Sequence, residues 1–314
     1  MDTKQMAIAD LNVVFGRKEE PLIKRLDDIF LPALNSGIIR RANENTRFLF
    51  EDCEIVEIEN ELVLKGILIK DTILDVMSEY TEEGLRKTDK HFPSSPYSVF
   101  MIFLKNHRML LVKNQGGSPD IRSFRTSLKH ILREYISNEN LIRKQEGKIL
   151  LPRAKAYVTG IKTTQSIKAA LEDVEKITEL AFHFYPLNAE WDYDPVFGSI
   201  DNSIRKVINA KKGRMIFPSP KSKDGVANVI EQTEGLVKSR MKVEYKSDSQ
   251  KGKTKSTGTI KDDEISNISN IEIDGELDES LNEIYAYKKE YRSLNVQSKN
   301  NLILYEEYLK NRKG

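Results

Sequence analysis

Apolar positions recur at three- and four-residue spacing through Ile121, Phe124, Leu128, Ile131 and Tyr135, which predicts an amphipathic helix with one buried face. Just upstream, residues 97–104 and 109–113 form two nearly unbroken apolar runs around Asn106 and His107, the pattern of a buried hairpin. Gly116 and Gly117 then lead to Ser118 and Pro119, the expected N-cap and first helical position. Residues 6–15 predict a strand. Residues 21–34 predict a helix with Leu22, Leu26, Ile29 and Phe30 facing inwards, started by Pro21 and stopped by Gly37. Alternating runs at 47–50, 53–58 and 61–69, with a turn at Glu59-Asn60, complete a mainly antiparallel sheet with the hairpin. The polar segment 78–96, with Pro93 and Pro96, reads as a loop.

Beyond Glu146-Gly147 the pattern changes to short alternating runs. Strands are expected at 148–158, 178–185, 214–217, 240–245 and 256–260, and helices at 164–176, 199–210 and 226–237. A glycine-lysine loop spans 247–255, and an acidic stretch runs to Glu283. Leu281, Ile284, Tyr285, Tyr287 and Tyr291 mark one terminal helix, and residues 301–310 another. The expected class is α+β. An N-terminal, mainly antiparallel sheet with helices occupies 1–146, a second α+β domain of alternating strands and helices 147–280, and a helical tail 281–314. A length of 314 residues favours more than one core.

Composition narrows the setting. With 39% hydrophobic and 31% charged residues the chain has the balance of a water-solvated globular protein. Its longest apolar run, residues 99–104, is far too short to cross a bilayer, and the first residues lack a signal-peptide pattern, so no membrane insertion is expected. The single cysteine, Cys53, leaves no internal disulfide and no cysteine metal cluster, which fits a reducing cytoplasm.

Net charge is only +2, but it is segregated. Residues 105–168 carry 14 basic against 4 acidic groups, and residues 205–257 carry 14 against 5. Between them residues 169–202 hold 8 acids and one Lys. Such blocks either neutralise each other, across the fold or between subunits, or steer an anionic partner. Arg122, Arg125, Lys129 and Arg133 form a basic edge along the predicted helix, continued by Arg143, Lys144, Lys148, Arg153 and Lys155. The second block adds Arg205, Lys206, Lys211, Lys212 and Arg214, then Lys251, Lys253 and Lys255 in the glycine-lysine loop. A soluble helix face is the plain alternative, since Arg is a good helix former. Few acids interrupt the edge, which favours backbone contacts to nucleic acid, DNA above all, with Arg122, Arg125, Lys129, Arg133, Arg143, Lys144, Arg205, Lys211, Lys212, Lys251, Lys253 and Lys255 as the binding set. No zinc finger, helix-turn-helix or RNP-type motif points to base reading.

Enzymatic motifs are sparse. His91, His107, His130 and His183 fall at no metal-ligand spacing, and nucleophile-elbow, P-loop and dinucleotide fingerprints are missing. No catalytic set and no cofactor are therefore expected. One alternative is a Mg²⁺-dependent nuclease with Asp224 upstream of Glu244-Tyr245-Lys246, two acids for the metal and a lysine to position water. The acidic run Trp191 to Asp194, with Glu190 and Asp201 nearby, is a second place a divalent cation could sit. A protein–protein adaptor whose charge blocks pair between subunits is the other alternative.

The second half resembles the RexA phage-exclusion family. It carries Ile216-Phe217-Pro218-Ser219-Pro220-Lys221-Ser222, then a helix, a strand and a glycine-containing turn, and an acidic segment ahead of a Tyr-rich terminal helix. The order of N-terminal elements is similar as well. The resemblance implies a homodimeric, non-sequence-specific DNA-binding sensor in phage defence that signals to a separate membrane effector protein. It supplies no catalytic residues.

Overall fold

The computed structural model describes residues 2–187, 204–205, 207–210, 212–246, 256–262 and 268–313. Strand outweighs helix, 43% to 30%, in an α+β arrangement. The centre of the fold is β1 (Asp2–Phe15), which from Met6 onwards is buried on both faces and apolar except for Asp10 and Asn12. It pairs on one edge with β8 (Arg108–Lys113) and β2 (Glu20–Pro21), and on the other with β14 (Ile268–Ile273) and β9 (Ala154–Gly160). The sheet continues from β8 through β7 (Tyr97–Phe103), β5 (Glu61–Thr81) and β4 (Thr46–Ile58) to β3 (Arg40–Asn43).

Side chains of alternate parity feed two cores. Ala7, Ala9, Leu11, Val13 and Phe15 join Phe100, Ile102 and Leu111 beneath α2 (Ile121–Gln145) and the helical run 22–34, which ends in α1 (Leu31–Leu34). That core closes on Phe50, Phe100 and Phe124, whose rings meet edge to face at 5.1 to 5.6 Å. Met6, Ile8, Met101, Phe103 and Leu110 form the opposite core, capped by Leu277, Ile284, Tyr285 and Leu294 around α5 (Leu281–Ala286). A final helix, α6 (Lys299–Lys313), sends the Tyr305 hydroxyl to accept the Leu62 N–H at 2.8 Å.

A third core lies between α3 (Thr164–Ala170), α4 (Lys223–Gln232) and a second, four-stranded sheet ordered β11 (Gly213–Pro218), β10 (Val174–Phe184), β12 (Lys238–Tyr245) and β13 (Thr257–Lys261). Sheet membership does not follow the expected division at 146/147. β9 and β14 both belong to the first sheet, because β1 offers them its free edge.

Two further expectations are corrected. Residues 78–96 are not a loop: β6 (Gly84–Ser94) pairs with the distal half of β5 from Thr72 to Thr81, extending the sheet as a two-stranded arm. Its apolar residues reach no core, so its pattern lacks the buried alternation of the other strands. Asp120, not Ser118, caps α2 by accepting the Ser123 N–H at 2.7 Å, while the Ser118 hydroxyl donates to Asn114 within the preceding turn. Half of the helix expected at 199–210 falls outside the described residues.

A charged junction joins the sheets. The Arg108 guanidinium, 2% exposed, lies 3.2 Å from Asp10 on β1 and donates to the Glu234 carbonyl at 2.6 Å in the turn after α4. Lys162, just past β9, lies 2.5 Å from Asp262 at the end of β13, and Asp262 also accepts from the Ser239 N–H at 2.9 Å. The β7–β8 turn is covered by the C-terminal segment, where Asn106 Nδ2 donates to the carbonyls of Leu294 and Val296 at 2.7 and 2.9 Å.

His107 is sealed beneath this cover, and burial pushes its imidazole down to about 4. An unfolded histidine titrates near 6.5, so the unfolded chain binds the extra proton first. Stability is therefore fully present above pH 6.5 and declines as pH falls towards 4, by up to about 3 kcal/mol. Urea denaturation at pH 7 and pH 5 should show this loss in the wild type and a smaller one in His107→Asn, since Asn tolerates the left-handed backbone at φ 56°. Packing at Gly66 gives a second expectation. An added Cβ there would lie 2.6 Å from the Phe100 ring and 2.7 Å from the Cys53 sulfur. Gly66→Ala should lower the denaturation free energy by about 1–3 kcal/mol, measured by the urea midpoint.

Candidate nucleic-acid interface

The helix α2 carries the predicted stripe as expected from its spacing. Ile121, Phe124, Leu128, Ile131, Leu132 and Ile136 are buried, while Arg122, Lys129 and Arg133 are exposed and Arg125 is half-buried. The fold then divides the stripe between two concavities. Its N-terminal part, Arg122 and Arg125, lines a 470 Å³ cavity with Lys113, Lys261, Gln5 and the capping Asp120.

The C-terminal part lines a larger cleft of 840 Å³ between α2 and β9. Lys129, Arg133 and Lys144 come from the helix, Arg153 and Lys155 from the approach to and start of β9, and Lys212 from the segment before β11. Among the described residues, no carboxylate lines it. Leu132, Ile136, Leu150 and Ala156 supply an apolar floor and rim, and Tyr157 closes one side. The Tyr157 ring stacks on Tyr185 at 4.4 Å and 15°, and Lys129 Nζ stands 5.7 Å from its centroid. The Tyr185 hydroxyl is held by the Gly235 carbonyl at 2.7 Å, so the stack is anchored to the turn that also binds Arg108. Burial raises the Tyr157 phenol above its usual value, keeping it neutral.

The cleft thus gathers four of the expected binding residues, Lys129, Arg133, Lys144 and Lys212, from two separate basic blocks. Others have different roles. Arg205, expected at the interface, is 5% exposed and donates to Glu19 at 3.1 Å and to the Ala210 carbonyl at 3.1 Å, so it braces the fold. Arg143 donates to the Ile149 carbonyl at 3.2 Å and closes the turn after α2. Lys211, Lys251, Lys253 and Lys255 lie outside the described residues, as do Lys206, Glu190, Asp201 and the Trp191 to Asp194 run. Tyr157 was missed by sequence reasoning because a lone tyrosine in a short strand carries no signal. Lys113 and Lys261 were missed because only strand pairing brings them to α2.

Two of the three residues of the nuclease alternative are engaged elsewhere. Asp224 opens α4 with its carboxylate 2.8 Å from Lys168, which holds it below the usual carboxylate range. Lys246 donates to the Glu172 carbonyl at 2.8 Å. Among the described residues, no three His, Cys, Asp or Glu side chains gather as a metal site. Cys53 is buried, and its thiol is pushed up to about 12 by burial first and by Asp52 second. No described helix is long and apolar enough to cross a membrane. Set against known families and curated proteins, the chain matches no family model and no curated protein.

Proposed function

We propose that the α2–β9 cleft binds the phosphate backbone of nucleic acid, DNA above all, without reading sequence. The observation that carries this reading is the convergence of Lys129, Arg133, Lys144, Arg153, Lys155 and Lys212 on one concavity with no carboxylate among its described lining residues. Such a surface suits a polyanion, because each phosphate neutralised releases counterions. Tyr157 offers a stacking edge for a sugar or an unpaired base beside these cations. Lys155 stands 3.5 Å from Glu19 and Arg133 donates to Glu134 at 2.8 Å, so the share of each in phosphate binding is smaller than that of the exposed Lys144. The resemblance of residues 216–222 to the RexA family supports a role as a sensor in phage defence, acting through a separate membrane effector. The cytoplasm is the compartment that suits such a protein.

Labelled duplex DNA should bind with an affinity that falls steeply with salt, the logarithmic slope being about −5 if all six cations meet phosphates. Arg133→Glu combined with Lys144→Glu should weaken binding by about tenfold or more and flatten the slope by about two. Duplex left uncut in the presence of Mg²⁺ is the expected result. Cutting abolished by Glu244→Ala would establish the nuclease alternative instead, and an unchanged affinity in the charge-reversed variant would sink the cleft assignment.

A further inference from the structure

The arm formed by residues 73–94 is the one part of the described sheet with no layer packed over it. Nine residues of β5 project past Thr72, where pairing to β4 ends, a reach of roughly 30 Å. Neither outer edge of this ribbon pairs with another described strand. An isolated two-stranded ribbon is marginal in water, and an open edge beside apolar side chains invites a partner. One face presents Leu74 beside Phe92 and Tyr80 beside Leu85, as directly opposed cross-strand pairs. Tyr80 is 86% exposed and Leu85 75%. Apolar pairs so exposed at both ends of one face, with Lys90 and Lys87 between them, mark an interaction surface.

Charge selects the kind of partner. Residues 73–94 carry five carboxylates against three Lys and Arg. Glu79 pairs with Lys90 and Glu83 with Arg86, exposed pairs that a partner's cations readily replace. The net negative charge disfavours nucleic acid and anionic membranes. The complementary surface stands on this same chain. The basic α2–β9 cleft is continuous with exposed Leu141 and Leu150, with Ile149 close by in sequence. An arm cannot enter the cleft of its own chain. The arm leaves the sheet at the end where β8 hands over to α2, and α2 runs back from there towards the opposite end, where β9 pairs with Phe15.

We propose that the arm of one copy docks in the α2–β9 cleft of a second copy. Glu82 and Glu83, at the tip of the arm, face the cations there, and Tyr80 and Leu85 lie on the apolar rim. The contact does not rest on the nucleic-acid reading, and where both hold they compete for the cleft.

Sedimentation of the full chain at low salt, without nucleic acid, tests this. The wild type should self-associate, and added salt should weaken the association. Tyr80→Ser with Leu85→Ser, both on the exposed arm, should weaken it by about tenfold or more while leaving DNA binding at least as tight. Glu82→Lys with Glu83→Lys should weaken association, as should Arg133→Glu with Lys144→Glu. Mixing these two charge-reversed proteins should restore association, because each supplies the other's complement. A wild type that stays monomeric, association indifferent to the arm variants, or no restoration on mixing would overturn the proposal. DNA binding of the serine variant is read separately, so failure of the docking contact and failure of the nucleic-acid reading give different results.

Discussion

The structure depends on an ion pair at the middle of its first strand. Asp10 and Arg108 are both out of solvent, where an unpaired charge would cost several kcal/mol, so their partners must be in place for the chain to fold. Arg108 sits at the start of β8, Asp10 at the midpoint of β1, and the Glu234 carbonyl comes from the turn that follows α4. One guanidinium therefore ties the hairpin, the central strand and the smaller sheet together. Gly235, at φ +81°, lets that turn approach, since a side chain there would meet the Asp10 Cβ at 3.1 Å.

Placement of the candidate cleft follows from this junction. β9 pairs with residues 9–15 of β1, so its start lies beside the C-terminal half of α2, which packs on the same face. The Tyr157–Tyr185 stack spans from β9 to the end of β10, and the Gly235 carbonyl fixes its inner ring. Cations from residues 129–155 and Lys212 are thereby held against a rigid floor, while the structural arginines, Arg108 and Arg205, are buried with carboxylates. Exposure separates the two classes of basic residue, and sequence position does not.

The C-terminal segment shows how much a distant stretch can decide. Glu61 is buried with Lys288 and accepts from the Tyr285 hydroxyl at 2.9 Å, and Lys288 stands 4.6 Å from the Phe103 ring centroid. With Asn106 bound to the carbonyls of Leu294 and Val296, these contacts seal a hairpin turn that would otherwise be solvent-facing. His107 owes its low proton affinity to that cover.

Hydrophobic spacing alone determined the buried hairpin, the amphipathic α2 and the basic edge along it, because each depends on neighbours within one or two turns of chain. It also determined the α+β class, through the change from long apolar runs to short alternating elements. The arm was not legible, since its apolar residues face no core and two prolines mimic a loop. β14 was hidden in an acidic stretch where only Ile271 and Ile273 turn inwards. Only the tertiary structure decided which cations converge. Lys129 and Lys212 are 83 positions apart and share a cleft, whereas Arg205, from the same block as Lys212, is turned inwards to Glu19. Local pattern reports which face of an element is polar. Which polar faces meet is set by long-range pairing to β1, and no local spacing encodes it.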